Sequence, residues 1–144
     1  MQNPPPVQTS SQSVGAVAKS STGLDENVAA LLSYLFGWVS GLIFFLIEKD
    51  SRLVRFHAMQ SILLNAAGAV LGGVLWVAAI ILAIIANLLA DALGALVWIL
   101  AMLIIGAFGI ALFAAAILCL VKAYQGQYFK LPVIGNFAEK FSAK

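Results

Sequence analysis

Residues 62–121 read ILLNAAGAVLGGVLWVAAIILAIIANLLADALGALVWILAMLIIGAFGIALFAAAILCLV, with Asn65, Asn87 and Asp91 as the strongly polar interruptions. As one helix this run would be about 90 Å long, some three times the roughly 30 Å hydrocarbon core of a bilayer, so the chain has to turn back within it. The turn belongs around Asn87, Asp91 and Gly94, because a carboxylate at the centre of a spanning helix costs about 2.5–3.5 kcal/mol. Two helices follow, over 60–87 and 93–121, each somewhat longer than the core and therefore tilted or reaching into the headgroups. Gly72, Gly73, Gly106 and Gly109 come without a polar loop. Irregular backbone facing lipid would leave amide groups unsatisfied, so no further break is expected there.

Upstream, Val28 to Ile47 is apolar apart from Ser33, Ser40 and small glycines. At 1.5 Å per residue, roughly 20 residues match one crossing of the core. A polar stretch (Glu48, Lys49, Asp50, Ser51, Arg52, then Arg55 and His57) separates it from the long run. The expected fold is all-α and integral to a membrane, with three transmembrane helices over 28–47, 60–87 and 93–121 making a domain of residues 24–122. Residues 1–23 are rich in Pro, Gln, Ser and Gly, and such a segment buries too little to offset its ordering entropy, so disorder is expected. This head also lacks the basic start and apolar core of a cleavable signal peptide. Thr22, Asp25 and Glu26 stand where helix caps and dipole-favoured acids belong. Residues 123–144 read as an interfacial tail, turned by Pro132 and Gly135, with 137–141 as a short surface helix.

Composition supports this class. Of 144 residues, 62% are hydrophobic and 10% charged, against about 45–50% and 25% in soluble domains, which excludes a soluble enzyme. A net charge of +2, dispersed along the chain, is no footprint for nucleic acid. The single Cys119 forms no intramolecular disulfide and reads as a small apolar filler. One His and one Cys make no metal cluster, and no nucleophile–base set or phosphate loop is present, so no catalytic activity and no cofactor are expected. With three spans, Lys49, Arg52, Arg55, Lys122, Lys130, Lys140 and Lys144 share one side and only Lys19 the other. The positive-inside bias then places the N-terminus outside and the C-terminus in the cytoplasm, in a bacterial inner membrane.

Several constellations point to packing surfaces. Ser33, Gly37, Ser40 and Gly41 share one face of the first helix; His57, Ser61, Asn65, Gly68 and Gly72 share one face of the second. Ala107, Ala111 and Ala115 lie on one face of the third, with Gly106 and Gly109 on another. Lipid gives helices no hydrophobic reason to pair, so close approach at small residues must supply much of the drive. Arg52, Arg55, His57, Lys122, Tyr124, Tyr128 and Lys130 form an expected membrane-interface belt, where each cation near an anionic leaflet contributes about 1 kcal/mol.

Three segments carry a family resemblance: Leu32-Ser-Tyr-Leu-Phe-Gly-Trp38; Val54-Arg-Phe-His-Ala-Met-Gln-Ser61; and Ala123-Tyr-Gln-Gly126 with Tyr128-Phe-Lys-Leu-Pro-Val-Ile-Gly135. Over residues 24–141 the chain resembles a family of small bacterial and archaeal membrane proteins. That family is grouped more distantly with the chloroplast Tic-type import component and with magnetosome membrane proteins. The resemblance implies a helical membrane protein that associates with itself or with others. It also implies Arg55, His57, Gln60, Tyr124 and Pro132 as determinants of fold and interface. Tic-type relatives have four spans with both termini on one side, and Asn136 stands where an acid is frequent. The expected function is a non-catalytic structural or accessory subunit acting through small-residue helix faces. The alternatives are a component of a translocation or channel assembly and an organiser that binds anionic lipid. The expected partners are anionic headgroups and other membrane subunits or a second copy.

Overall fold

Two helices dominate the chain: α3 (Arg52–Leu89) and α4 (Asp91–Tyr124), of 38 and 34 residues. They form an antiparallel pair about 57 and 51 Å long at 1.5 Å per residue. The computed structural model describes residues 18–142, and among these the remaining elements are α1 (Glu26–Leu35), α2 (Trp38–Ile47) and α5 (Ile134–Ser142). The α3–α4 turn lies at Ala90, whose extended backbone (φ −168°, ψ 140°) separates the helices, within the expected Asn87–Gly94 window. Asn87 donates to the Ala83 carbonyl at 2.9 Å. A side chain at residue 94 would collide with the Asn87 amide, so Gly94 makes room for the turn.

The apolar stretch 28–47 does not form the single continuous helix expected of it. It breaks at Gly37 into α1 and α2, which run antiparallel. Ser21, ahead of α1, bonds the Glu48 carboxylate at the end of α2. Alongside α3, α1 runs in the same direction: Ser51 Oγ donates to Glu26 at 2.8 Å, and Ser61 Oγ donates to the Gly37 carbonyl at 3.0 Å. The return helix α2 packs Gly41 against Ala58 and Ser61. Further along, the Arg55 guanidinium lies 4.8 Å from the centre of the Phe45 ring.

The physical reason for the break is local. Gly37 has φ 60° and ψ −131°, a region closed to L side chains but open to glycine. Polar groups freed by the break find partners nearby. The Phe36 N–H donates to Ser40 Oγ at 3.1 Å and the Gly37 N–H to the Tyr34 carbonyl at 3.2 Å. The Ser40 hydroxyl lies 3.1 Å from the Ser33 carbonyl and 3.2 Å from that of Gly37. Each ten-residue helix is about 15 Å long, half of a hydrocarbon core.

The hairpin returns to the end of α3 from which it starts. Ser21, Tyr124 and Ser142 all sit at the Ser51 end of α3. The expected disordered head falls largely on residues 1–17, outside the described residues. Residues 18–23 are folded instead: Ser20 N–H donates to the Leu24 carbonyl at 2.8 Å, and the backbones of Lys19 and Asp25 pair in an isolated antiparallel β-bridge. The 125–133 segment and α5 are likewise packed onto α3, and α5 begins at Ile134, earlier than expected.

The core therefore gathers at one end, around Ala29, Ala30, Tyr34, Leu53, Val54, Cys119 and Ala123. Beyond Leu71, α3 and α4 pack on each other, with Ala79, Ala83 and Gly94 buried and Trp76 edge-on to Trp98 at 6.1 Å. Leu88 and Leu89 near the turn are 82% and 76% exposed, an arrangement suited to lipid rather than water.

Candidate functional site

Three buried side chains join the elements at the packed end. His57 Nε2 lies 3.0 Å from the Gln127 carbonyl, which can only accept, so Nε2 carries the proton. Nδ1 then accepts from the Tyr34 hydroxyl at 3.2 Å. The Gln60 amide faces Tyr34 Oη at 3.2 Å, the Phe129 carbonyl at 3.1 Å and Cys119 Sγ at 3.3 Å. Its oxygen accepts from the Leu131 N–H at 3.5 Å. One network thus ties α1, α3, α4 and the 125–133 segment. Gln60→Leu leaves the Phe129 carbonyl and Leu131 N–H without their partner. At about 1–3 kcal/mol per orphaned group, it is expected to lower stability by about 2–4 kcal/mol. Unfolding of the purified protein in mild detergent measures this; a loss below about 0.5 kcal/mol would contradict the network's importance.

Glu48 forms a second junction. It is fully enclosed, and its carboxylate accepts from Ser21 Oγ at 2.6 Å, Ser51 N–H at 2.8 Å, and the Ser21 and Asp50 N–H groups at 3.0 Å. Burial alone would raise its pKa, but the bonds from Ser21, Ser51 and Asp50 outweigh burial and lower it to about 2. Sequence reasoning placed Glu48 in a polar loop; its link to Ser21 crosses residues expected to be disordered, so no local pattern marked it.

The structure distributes the expected packing residues unequally. Ser33, Gly37, Gly41, Ser61 and Asn65 gather at the hairpin: Ser33 Oγ donates to Ala29, and Asn65 Nδ2 donates to Ser61 while its oxygen flanks Gly37. Gly68 faces Leu112 and Gly72 faces Phe108 across the α3–α4 seam. Ala115 is half-buried, whereas Ala107 and Ala111 are exposed.

Of the expected interface belt, Arg52, Tyr124, Tyr128 and Lys130 are exposed, Lys130 pairing with Glu139 at 2.8 Å. Lys122 bonds Gln127 at 3.0 Å, and Arg55 donates to the Glu48 carbonyl at 2.9 Å. His57 is the exception, since it lies wholly inside the protein. Its place on α3, facing Tyr34 and the 125–133 segment, withdraws it from the surface. Cys119 is also fully buried, but receives a hydrogen bond from Gln60 rather than acting as filler alone. Among the described residues no group of three or more His, Cys, Asp or Glu could hold a metal ion.

These features define an all-helical protein of the membrane class: two helices are long and apolar enough to cross a bilayer, and α2 is a shorter apolar helix. The model of the magnetosome magnetite crystal formation protein family matches residues 23–138, and the chain belongs to that family. It is 44% identical over 126 residues to the UPF0132 membrane protein MJ1443 of Methanocaldococcus jannaschii, covering 88% of this chain and 96% of that one. It is 38% identical over 117 residues to a UPF0132 membrane protein of Archaeoglobus fulgidus, covering 81% and 95%. No solved structure matches the chain. The archaeal and magnetosome parts of the resemblance thus stand.

Proposed function

We propose that the chain is a non-catalytic membrane subunit with a structural or accessory role. It crosses the bilayer twice, through α3 and α4, while α1–α2 enters and leaves on one side as a re-entrant hairpin. The cations support one orientation. Lys19, Lys49, Arg52, Arg55, Lys122, Lys130 and Lys140 lie at the packed end, and residues 56–121, including the Ala90 turn, contain no Lys or Arg. The positive-inside bias assigns the packed end to the cytoplasm. Irregular backbone at membrane depth is tolerated where protein satisfies it, as Ser40 and Ser61 do at the hairpin tip.

The observation that carries the role is a set of glycines without an internal reason. Gly73, Gly106 and Gly109 have no atom within 4 Å of where a Cβ would stand. Glycine in a helix interior costs about 0.5–1 kcal/mol relative to alanine. The chain's own packing does not require that cost, whereas a neighbouring helix approaching closely does. We therefore assign these positions to contact with another membrane subunit or a second copy.

The full-length protein in its native membrane should crosslink into a complex, and native mass measurement in mild detergent should retain it. Gly106→Leu with Gly109→Leu should abolish that complex while the unfolding temperature of the isolated chain stays unchanged. A strict monomer without partners at native abundance contradicts the role.

A further inference from the structure

Independently of the glycine faces, a cleft of about 350 Å³ opens at the packed end between the start of α3, the 125–133 segment and α5. Arg52, Phe56, Tyr128, Glu139 and Ser142 line it. Arg52 is exposed and, among the described residues, makes no hydrogen bond or ion pair. Phe56 and Tyr128 stack obliquely with ring centres 5.5 Å apart, forming an aromatic wall. Glu139 is already neutralised by Lys130 at 2.8 Å. A guanidinium free to make two parallel bonds, beside the Tyr128 hydroxyl and a balanced carboxylate, suits a phosphate carrying a hydrogen-bonding substituent.

A second cavity indicates what carries the phosphate. An apolar groove of about 460 Å³ is lined by Leu63, Ala66, Ala67, Val70, Leu71, Val133, Ile134 and Phe137. At 100° per residue, Arg52, Phe56, Leu63, Ala67 and Val70 fall within about 60° of arc, one face of α3. The groove lies about 16 Å from the cleft along that helix, counting Phe56 to Ala67 at 1.5 Å per residue. Both cavities are lined by α5, the cleft near its end and the groove near its beginning. Polar cleft and apolar groove follow one another as headgroup and acyl chain do in a phospholipid.

The groove also contains a strained residue. Val133 has φ 67°, an uncommon conformation for a β-branched side chain that costs on the order of 1–3 kcal/mol. The Ile134 N–H donates to the Pro132 carbonyl at 2.8 Å across it, closing a γ-turn that holds this conformation and leaves the side chain 69% exposed. That conformation places the side chain at the groove.

We propose that the α3–α5 seam binds one phospholipid, its phosphodiester at Arg52 and Tyr128 and an acyl chain in the groove at Val133. Glu139 accepts from the ammonium or hydroxyl of the headgroup. Native mass measurement of the full-length protein in mild detergent, titrated with diacyl phosphatidylglycerol, tests the site. One lipid should remain bound per chain, and Arg52→Gln should weaken it about tenfold or more. Lys49→Gln, at an exposed cation outside the cleft, should leave it unchanged. Val133→Gly should weaken lipid binding while preserving or raising the unfolding temperature, which separates the groove from a folding defect.

Equal lipid retention by the Arg52→Gln variant overturns the cleft, as does equal weakening by Lys49→Gln. Inorganic phosphate competing as tightly as the lipid overturns the acyl-chain assignment. Complex formation through Gly106 and Gly109 is read in the same spectra from subunit mass, so either conclusion can fail without the other.

Discussion

Gly37→Val is expected to lower the stability of the detergent-solubilised protein by about 2–5 kcal/mol. Two costs combine. A backbone region reserved for glycine costs about 1–3 kcal/mol when another residue is forced into it. The new side chain also meets Asn65 Oδ1, 3.1 Å from the position of its Cβ, and overpacking adds about 1–3 kcal/mol. Releasing the tip would also break the Ser40 and Ser61 bonds that satisfy its carbonyl groups. Gly73→Ala is the matched control in the isolated chain, free of any partner: with no atom within 4 Å of its Cβ, it should be neutral or stabilise by up to about 1 kcal/mol through helix propensity. Equal behaviour of the two variants in an unfolding titration would remove Gly37 from the account.

The second large effect is expected at Glu48. Glu48→Ala deprives the Ser21, Asp50 and Ser51 N–H groups of their shared acceptor and detaches the segment before α1 from the α2–α3 junction. Hydrogen bonds to charged groups contribute about 1.5–3 kcal/mol each, and water will re-solvate the exposed members, so a net loss of about 2–4 kcal/mol is expected. Acid should act through the same group. Its folded pKa of about 2 lies below the ordinary 4.5, so the folded state binds its proton less readily than the unfolded chain does. The stabilisation is complete above about 4.5 and fades as pH falls toward 2. Glu48→Gln should flatten the pH dependence of unfolding in that window; an unchanged acid limb would assign it to other carboxylates.

The long helical pair was legible because its signal is physical bulk. No single helix accommodates the 62–121 run, and Asp91 marks the one place where a carboxylate is tolerable. The observed helices differ mainly at their outer ends. Ser51 caps α3 by accepting from the Val54 N–H at 3.3 Å, which extends the helix through Arg52, Arg55 and His57, residues whose polarity resembles a loop. The hairpin was not legible from hydropathy. A crossing of 20 apolar residues and two half-length helices have the same composition. The distinction rests on the dihedral angles of Gly37 and on hydroxyls from Ser40 and Ser61. Those serines and Gly37 were visible as a small, polar face, but spacing alone does not tell a packing surface from a turn. Gln60 and Glu48 act across 59 and 27 residues of chain respectively, separations for which a single sequence offers no register. The Arg52 cleft is similar: Arg52 and Tyr128 each read as interface residues, and only the return of α5 brings Glu139 and Ser142 beside them.

Side-selective labelling tests the hairpin most directly. Single-cysteine variants Lys19→Cys, Lys140→Cys and Ala90→Cys, each with Cys119→Ala, would be probed in oriented membrane vesicles with an impermeant maleimide. We expect Lys19→Cys and Lys140→Cys to label together from the cytoplasmic face, and Ala90→Cys only from the opposite face. Labelling of Lys19→Cys from the same side as Ala90→Cys would mean that residues 28–47 cross the bilayer after all.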